Sequence, residues 1–463
     1  MSETKTDRAR NIAVMNGDTK GSPTPDLGGV TARSATHTAP PARKEQGGLR
    51  RTPSIPNTPP PPEPPPSIEK YDAVIGKASL DELLFLAERV KGRTVKMVNS
   101  TAVGGGVAEI LSRLVPLLNE LEVKTKWEVI TGGNDFFEVT KGFHNALHGA
   151  EYKLTLAARE IFLENTEANL KRMHFDEDII VIHDPQPCML VTGRENSNNK
   201  WIWRCHIDLS KPDQEVWDFL RPSVERFDAA IFSSPAFSQQ LTIPQYLLYP
   251  CIDPLAEKNR DMDENEISKV CDDLGVDRKR PIVTQISRFD RLKDPVGVIQ
   301  AYKLAKRYLD CQLVLAGGGA TDDPEASAVL EEVMHAADND PDIIVLNLPA
   351  WCAREINALQ RASTVMVQKS LKEGFGLTVT EALWKGKPTI ASAVGGIPSQ
   401  IIHKLTGMLV HSVEGCAYQI RYLLTHPEFA NQLGASGKEH VKENFLVTTN
   451  LKRWLLLYQL LDP

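Results

Sequence analysis

The sequence has no run approaching the roughly 18 uninterrupted apolar residues of a membrane-spanning helix, and residues 1–30 lack the apolar stretch of a secretory signal. The expectation is a cytoplasmic chain without a membrane partner. Its 7 cysteines, Cys188, Cys205, Cys251, Cys271, Cys311, Cys352 and Cys416, lie far apart with no C-x-x-C pair. This disfavours a disulfide framework and a zinc module alike, and they read as reduced packing residues. There is no G-x-G-x-x-G and no G-x-x-x-x-G-K-[ST], so neither a nicotinamide dehydrogenase nor a P-loop nucleoside triphosphatase is favoured. A surplus of positive charge is missing too. A formal net charge of −7 argues against a nucleic-acid face over the whole chain and leaves room only for a small, locally held anion.

What is present is ordinary globular composition, with 41% apolar and 24% charged residues. At roughly 100–200 residues per domain, 463 residues allow two or three domains. Residues 1–67 are different material: they hold 13 of the 31 prolines, and 9 Lys or Arg stand against 6 Asp or Glu. With almost no apolar clusters, this segment is expected to be a disordered tail with polyproline II character near its end. It reads as a spacer, with docking to an aromatic-grooved partner as the alternative.

From about residue 70 the pattern alternates helical and strand periods, the signature of βαβ units and a parallel sheet. Val107, Ile110, Leu111, Leu114 and Leu118 recur on one helical face, and Asp178 to His183 is apolar without alternation, as in a strand buried on both faces. Further strands are expected at 127–131 and 229–233. Near Pro250 and Pro254 the pattern restarts, with strands expected at 281–287, 312–316, 342–346, 364–367 and 388–391. The fold class is therefore α/β, with two Rossmann-like units across a cleft: an N-terminal domain over 68–253 and a C-terminal domain over 254–445. The last helix, within 446–463, could cross back onto the first domain.

Glu373-Gly374-Phe375-Gly376-Leu377-Thr378-Val379-Thr380-Glu381 places two carboxylates eight positions apart around a glycine turn. On one helix that spacing is about 12 Å, beyond the roughly 5–9.5 Å between a glycosidase acid and base. Hydrolysis is disfavoured. Gly374 and Gly376 instead admit close backbone approach, the following helix offers N–H groups, and the carboxylates accept from hydroxyls, which together describe a sugar-nucleotide site. Alone, the segment would equally suit a surface carboxylate and a helix-capping turn. Arg288 and Lys293, after the first strand of the same unit, suit a diphosphate without a metal ion, although a lone basic pair is often only a solvated face. Gly317-Gly318-Gly319 is a weaker turn signal. Val103 to Val107, with Gly104, Gly105 and Gly106, forms a second backbone-donor loop. His183-Asp184-Pro185-Gln186-Pro187 follows a buried strand, and Trp201 to Asp208 brings His206 close to Asp208; the plainer readings are a proline turn and a core histidine.

These residues resemble the retaining glycosyltransferases of family 4, whose two-Rossmann-domain architecture is termed GT-B. The resemblance spans nearly all of residues 95–460 and rests on E-G-F-G-L-T-V-T-E at 373–381 with Arg288 and Lys293 upstream. H-D-P-Q-P at 183–187, W-I-W-R-C-H-I-D-L-S at 201–210 and E-A-L-W-K-G-K-P at 381–388 resemble the branch of trehalose synthases and retaining trehalose phosphorylases. The resemblance implies that glucose passes from an NDP-glucose to glucose with no protein nucleophile and no obligatory metal or cofactor. It implies that Arg288 and Lys293 hold the diphosphate, Glu381 the ribose, and Glu373 with Gly374, Phe375 and Gly376 the glucosyl unit. His206 would face the reacting sugar, Gly105 and Gly106 the phosphates, and Asn134, Lys141, Asp184, Gln186 and Asp208 the acceptor. The alternatives are a phosphorylase using glucose 1-phosphate and a nucleotide-sugar sensor or interaction protein. The partners expected are the two small-molecule substrates and no nucleic acid, and a homodimer is the default among soluble enzymes.

Overall fold

The computed structural model describes residues 65–102, 105–195, 198–318 and 324–462. Almost all of the proline-rich tail, the Val103-Gly104 start of the first glycine loop, and Gly319 lie outside the described residues. Among the described residues two six-stranded sheets form, and every pairing of their strands is parallel. The first is built from β1 (Thr94–Asn99), β2 (Lys124–Val129), β3 (Ile179–His183), β4 (Lys200–Arg204), β5 (Ala229–Phe232) and β6 (Gln245–Leu247), ordered β2-β1-β3-β4-β5-β6. The second takes β7 (Ile282–Ile286), β8 (Gln312–Gly317), β9 (Ile343–Asn347), β10 (Val365–Gln368), β11 (Thr389–Ser392) and β12 (Met408–Val410), ordered β12-β11-β10-β7-β8-β9. Both belong to one compact unit.

The local cause is visible in β3. Ile179 and Val181 join a layer with Leu83, Leu111 and Leu114, whereas Ile180 and Ile182 join the opposite layer with Phe143, Phe162 and Trp201. A strand covered by helices on both faces has no polar side to alternate with. The W-I-W-R segment is β4 itself. Its period of two sends Trp201 and Trp203 into one layer and Ile202 into the other, so the aromatics are core and only the residues beyond Arg204 reach the cleft.

The C-terminal helix Val447–Leu461 adds Leu451, Trp454, Leu455 and Tyr458 to the first sheet's core, beside Leu83 and Leu86 of the helix Lys77–Glu88. Lys452 Nζ fastens it there through Ser79 Oγ at 2.7 Å. The connection between the sheets is pinned at both ends. Tyr71 OH donates to Asp253 Oδ1 at 3.0 Å, and Lys385 Nζ to Asn259 Oδ1 at 3.0 Å. Strand order reverses beside β1 and again beside β7, and in such sheets the crevice at the carboxyl ends of those strands takes the ligand. Among the described residues no helix is long and apolar enough to cross a membrane. All 7 cysteines are unbridged and buried.

Candidate functional site

Two loops leave the centre of the second sheet and converge. After β7, Asp290 Oδ1 accepts from Leu292 N at 2.7 Å and caps the turn Arg291–Lys293, while Gln285 Nε2 donates to Lys293 O at 2.8 Å. After β10, the chain runs through Ser370 to Glu373. The result is an ion pair of 2.7 Å between Lys293 Nζ and Glu373 Oε2, with Ser370 Oγ donating to the same oxygen at 3.1 Å. Arg288 is held more loosely. Its side chain is 61% exposed and its partner, Asp290, lies 3.4 Å away, so it can swing to a ligand.

The glycine turn is built for close approach. Gly376, at φ 88°, caps the helix Leu377–Trp384, whose first-turn N–H groups lack intrahelical acceptors. A Cβ on Gly374 would stand 2.6 Å from the carbonyl oxygen of His206, so a side chain there would push the two sheets apart. The Phe375 ring is buried against Tyr249 and Phe445, leaving only its main chain at the turn. Glu381 is fully buried, with Lys258 Nζ 2.8 Å from Oε1 and Gln360 Nε2 donating to Oε2 at 2.9 Å. Lys258 also reaches Glu109 Oε2 at 3.3 Å, on the helix that Gly105 caps. Burial alone would lower the Lys258 pKa, but the Glu109 and Glu381 charges outweigh it and hold it above the usual lysine range. Lys385, behind Glu381, is pushed down to about 7 by burial.

From the first sheet, the helix Gly106–Glu120 begins opposite this turn, since a Cβ on Gly106 would lie 3.4 Å from a Leu377 methyl. Asp184 stands in the left-handed region at φ 67°, and its Oδ1 accepts from His206 N at 2.7 Å. That carboxyl shapes the His206 loop, and burial raises its pKa to about 6. His206 Nε2 lies 3.1 Å from His183 Nδ1, with the rings stacked. Asp208 is buried and accepts from Ser210 N at 2.9 Å. Gln186 is half-buried, whereas Asn134 and Lys141 are exposed on the helix Asn134–Leu147.

That helix carries the residues the sequence reading missed. His144 and His148, whose rings lie 4.5 Å apart, face the second sheet's charges. Burial, followed by His148 and the Arg288, Lys293 and Lys141 charges, drives His144 down to about 3; burial likewise lowers His148, which also senses Asp208 and Glu373. Spacing of i and i+4 was the available signal, but nothing local ties it to loops of the other sheet. Lys258 and Ser370 were missed for the same reason.

His183, like His144, is driven to about 3, by burial and then by Arg204. Unfolded histidine titrates near 6.5, so the unfolded chain binds more protons between about pH 3 and 6.5, and stability falls as pH drops through that window. Each histidine contributes a slope of up to about 1.4 kcal/mol per pH unit; Asp184, raised to about 6, opposes part of it between about pH 4 and 6. Thermal melts should show Tm falling between pH 6.5 and 4.5, and His144→Gln should flatten the slope. A pH-independent Tm would contradict buried neutral histidines.

Two parallel sheets meeting at their carboxyl ends, with cations and a carboxylate on one wall and a glycine-capped helix on the other, define a glycosyltransferase of the GT-B architecture. The model for "Trehalose synthase, N-terminal domain" matches residues 97–239, and that for "Glycosyl transferases group 1" matches residues 268–440. The trehalose synthase of Pyrococcus horikoshii is 45% identical over 394 residues, covering 84% of this chain and 95% of that protein. The trehalose phosphorylase of Pleurotus pulmonarius is more distant, at 28% over 449 residues, covering 84% of this chain and 60% of that one. In fold, an α,α-trehalose-phosphate synthase (UDP-forming) from Burkholderia xenovorans superposes with a TM-score of 0.65 at 14% identity, covering 80% of this chain and 100% of that one. The chain belongs to the trehalose synthase family and is a trehalose-forming glycosyltransferase.

Proposed function

We propose that the enzyme transfers a glucosyl unit from a nucleoside diphosphate glucose to free glucose, releasing the nucleoside diphosphate and forming α,α-trehalose with retention. The observation that carries this is the Lys293–Glu373 pair at 2.7 Å, a cation and a hydroxyl acceptor side by side where β7 and β10 end. Lys293, Arg288 and the N–H groups of helix Leu377–Trp384 would hold the diphosphate, with Gly105 and Gly106 approaching from the other sheet. Glu373 would accept from the glucosyl hydroxyls, and Glu381 from the ribose once the donor displaces Lys258 from Oε1. Acceptor glucose would sit towards Asp208, Asp184 and Gln186, with His144 and His148 above it and Asn134 and Lys141 at the rim.

The bond from the anomeric carbon to the phosphate oxygen breaks, and one from that carbon to the acceptor oxygen forms on the same face. The acceptor proton passes to a donor phosphate oxygen. Positioning and stabilisation of the departing charge then supply the rate, and the side-chain cations do what a divalent metal does elsewhere. The reading places the reaction in the cytosol on small-molecule substrates.

A ligand that binds only the folded state raises its stability by mass action, about 2.7 kcal/mol at a hundred times Kd. ADP or UDP is expected to raise Tm well beyond inorganic phosphate at equal concentration. Equal shifts would favour the phosphorylase reaction.

A further inference from the structure

One contact near the cleft has no part in the reading above: the pair of neutral imidazoles, His183 Nδ1 and His206 Nε2, 3.1 Å apart. Only one proton can lie between two neutral rings, so each ring's tautomer fixes the other's. If His206 donates, His183 accepts at Nδ1 and must carry its own proton on Nε2. If His183 donates, its Nε2 is a bare lone pair and His206 carries its proton on Nδ1.

The surroundings of His183 decide between these. Its side chain is 2% exposed, and Nε2 is buried with no hydrogen-bond partner among the described residues. An orphaned buried N–H is rarer and more costly than an orphaned acceptor. The adjoining cavity is lined by Leu111, Leu114, Leu248 and Trp454, with Arg204 and Asn450. Asn450 donates from Nδ2 to Tyr249 O at 2.7 Å, and its Oδ1 makes no hydrogen bond to His183 or to any other described residue. Arg204 is a buried donor, committed to Ser233 Oγ at 3.1 Å and Leu248 O at 2.7 Å; burial first, and its positive charge second, keep both rings neutral. With this cation on the wall of the same cavity, a lone pair at Nε2 is favoured over a second unpartnered N–H.

We infer that His183 is a positioning residue: it donates from Nδ1 to His206 Nε2 and so holds His206 as the tautomer whose Nδ1–H is offered to an oxygen of the transferred sugar. This deepens the proposed function and rests on it, with His206 facing the glucosyl unit as the resemblance to family 4 implies. His183 itself, buried beneath the loop, acts only through His206. The C-terminal helix joins in, since Trp454 and Asn450 close the cavity behind the pair.

The test uses full-length protein labelled with 15N-histidine. Long-range 1H–15N spectra should show His206 protonated at Nδ1 in the wild type and in His183→Asn, whose amide replaces the Nδ1 donor, and a mixed population in His183→Leu. Turnover should fall about tenfold in His183→Leu, the loss of one oriented hydrogen bond, while the Kd for ADP or UDP stays unchanged and His183→Asn recovers most of the rate. A wild-type His206 protonated at Nε2 overturns the inference, as does an unaltered tautomer and kcat in His183→Leu. Should His183→Leu not fold, the wild-type spectrum and His183→Asn decide. Full turnover in His206→Ala, which has no donor at that position, would instead refute the sugar-facing reading, independently of the spectra.

Discussion

Lys293→Ala is expected to lower kcat by about 100-fold or more, the usual consequence of removing one preorganised group aimed at developing charge. The geometry explains why one side chain carries so much. Lys293 sits in a turn fixed at both ends, by Asp290 at its start and by Gln285 on its carbonyl, so its ammonium need not reorganise when the diphosphate departs. It also neutralises Glu373, which without it would face the donor's negative charge as an unpaired carboxylate. Arg288, exposed and loosely paired, cannot take over that position. Donor affinity should suffer less than kcat, because the departing phosphate carries more charge than the bound one. Single-turnover kinetics with a folding check by circular dichroism separates these effects, and a kcat within threefold of wild type would remove Lys293 from the chemistry.

The second large effect is expected at a residue outside every motif. Lys258 bridges Glu109 and Glu381, one on a helix of each sheet, and Glu381 has no solvent exposure. Lys258→Met leaves a buried carboxylate without its cation. Breaking such a pair costs several kcal/mol; with Lys258 itself a quarter exposed, a loss of about 3 kcal/mol at the low end of that range is expected. Adding Glu381→Gln removes the stranded charge while keeping the Gln360 hydrogen bond, so the double variant should be more stable than Lys258→Met alone. Denaturant unfolding of all three variants closes the cycle. Additive losses would mean that the pair does not couple.

The elements legible in the sequence were those whose signal is local. The strands at 282–286 and 312–317 were expected within a residue or so of where they lie, as was β3, whose burial on both faces leaves a continuous apolar signature. The E-G-F-G turn was legible because glycine is required where backbone meets backbone, as it does between Gly374 and His206. The W-I-W-R segment is a strand, since tryptophan serves a core as readily as a site.

What stayed hidden depends on contacts between distant segments. His144 and His148 gain meaning only when a helix of the first sheet meets Lys293 and Glu373 of the second. Glu381 reads as a ribose ligand from its motif, yet its engagement by Lys258 and Gln360 follows from the connection between the sheets, which no periodicity reports. Short strands such as β6 and β12, of three residues each, fall below the length at which a period of two can be seen.

The central claim is the reaction itself, and a product assay tests it most directly. Purified protein is given glucose with ADP-glucose, UDP-glucose or glucose 1-phosphate, and the disaccharide linkage is read by NMR. The account predicts α,α-1,1-linked disaccharide and released nucleoside diphosphate from a nucleotide donor, and none from glucose 1-phosphate. Trehalose formed from glucose 1-phosphate with release of phosphate, or no disaccharide from any donor, would contradict it.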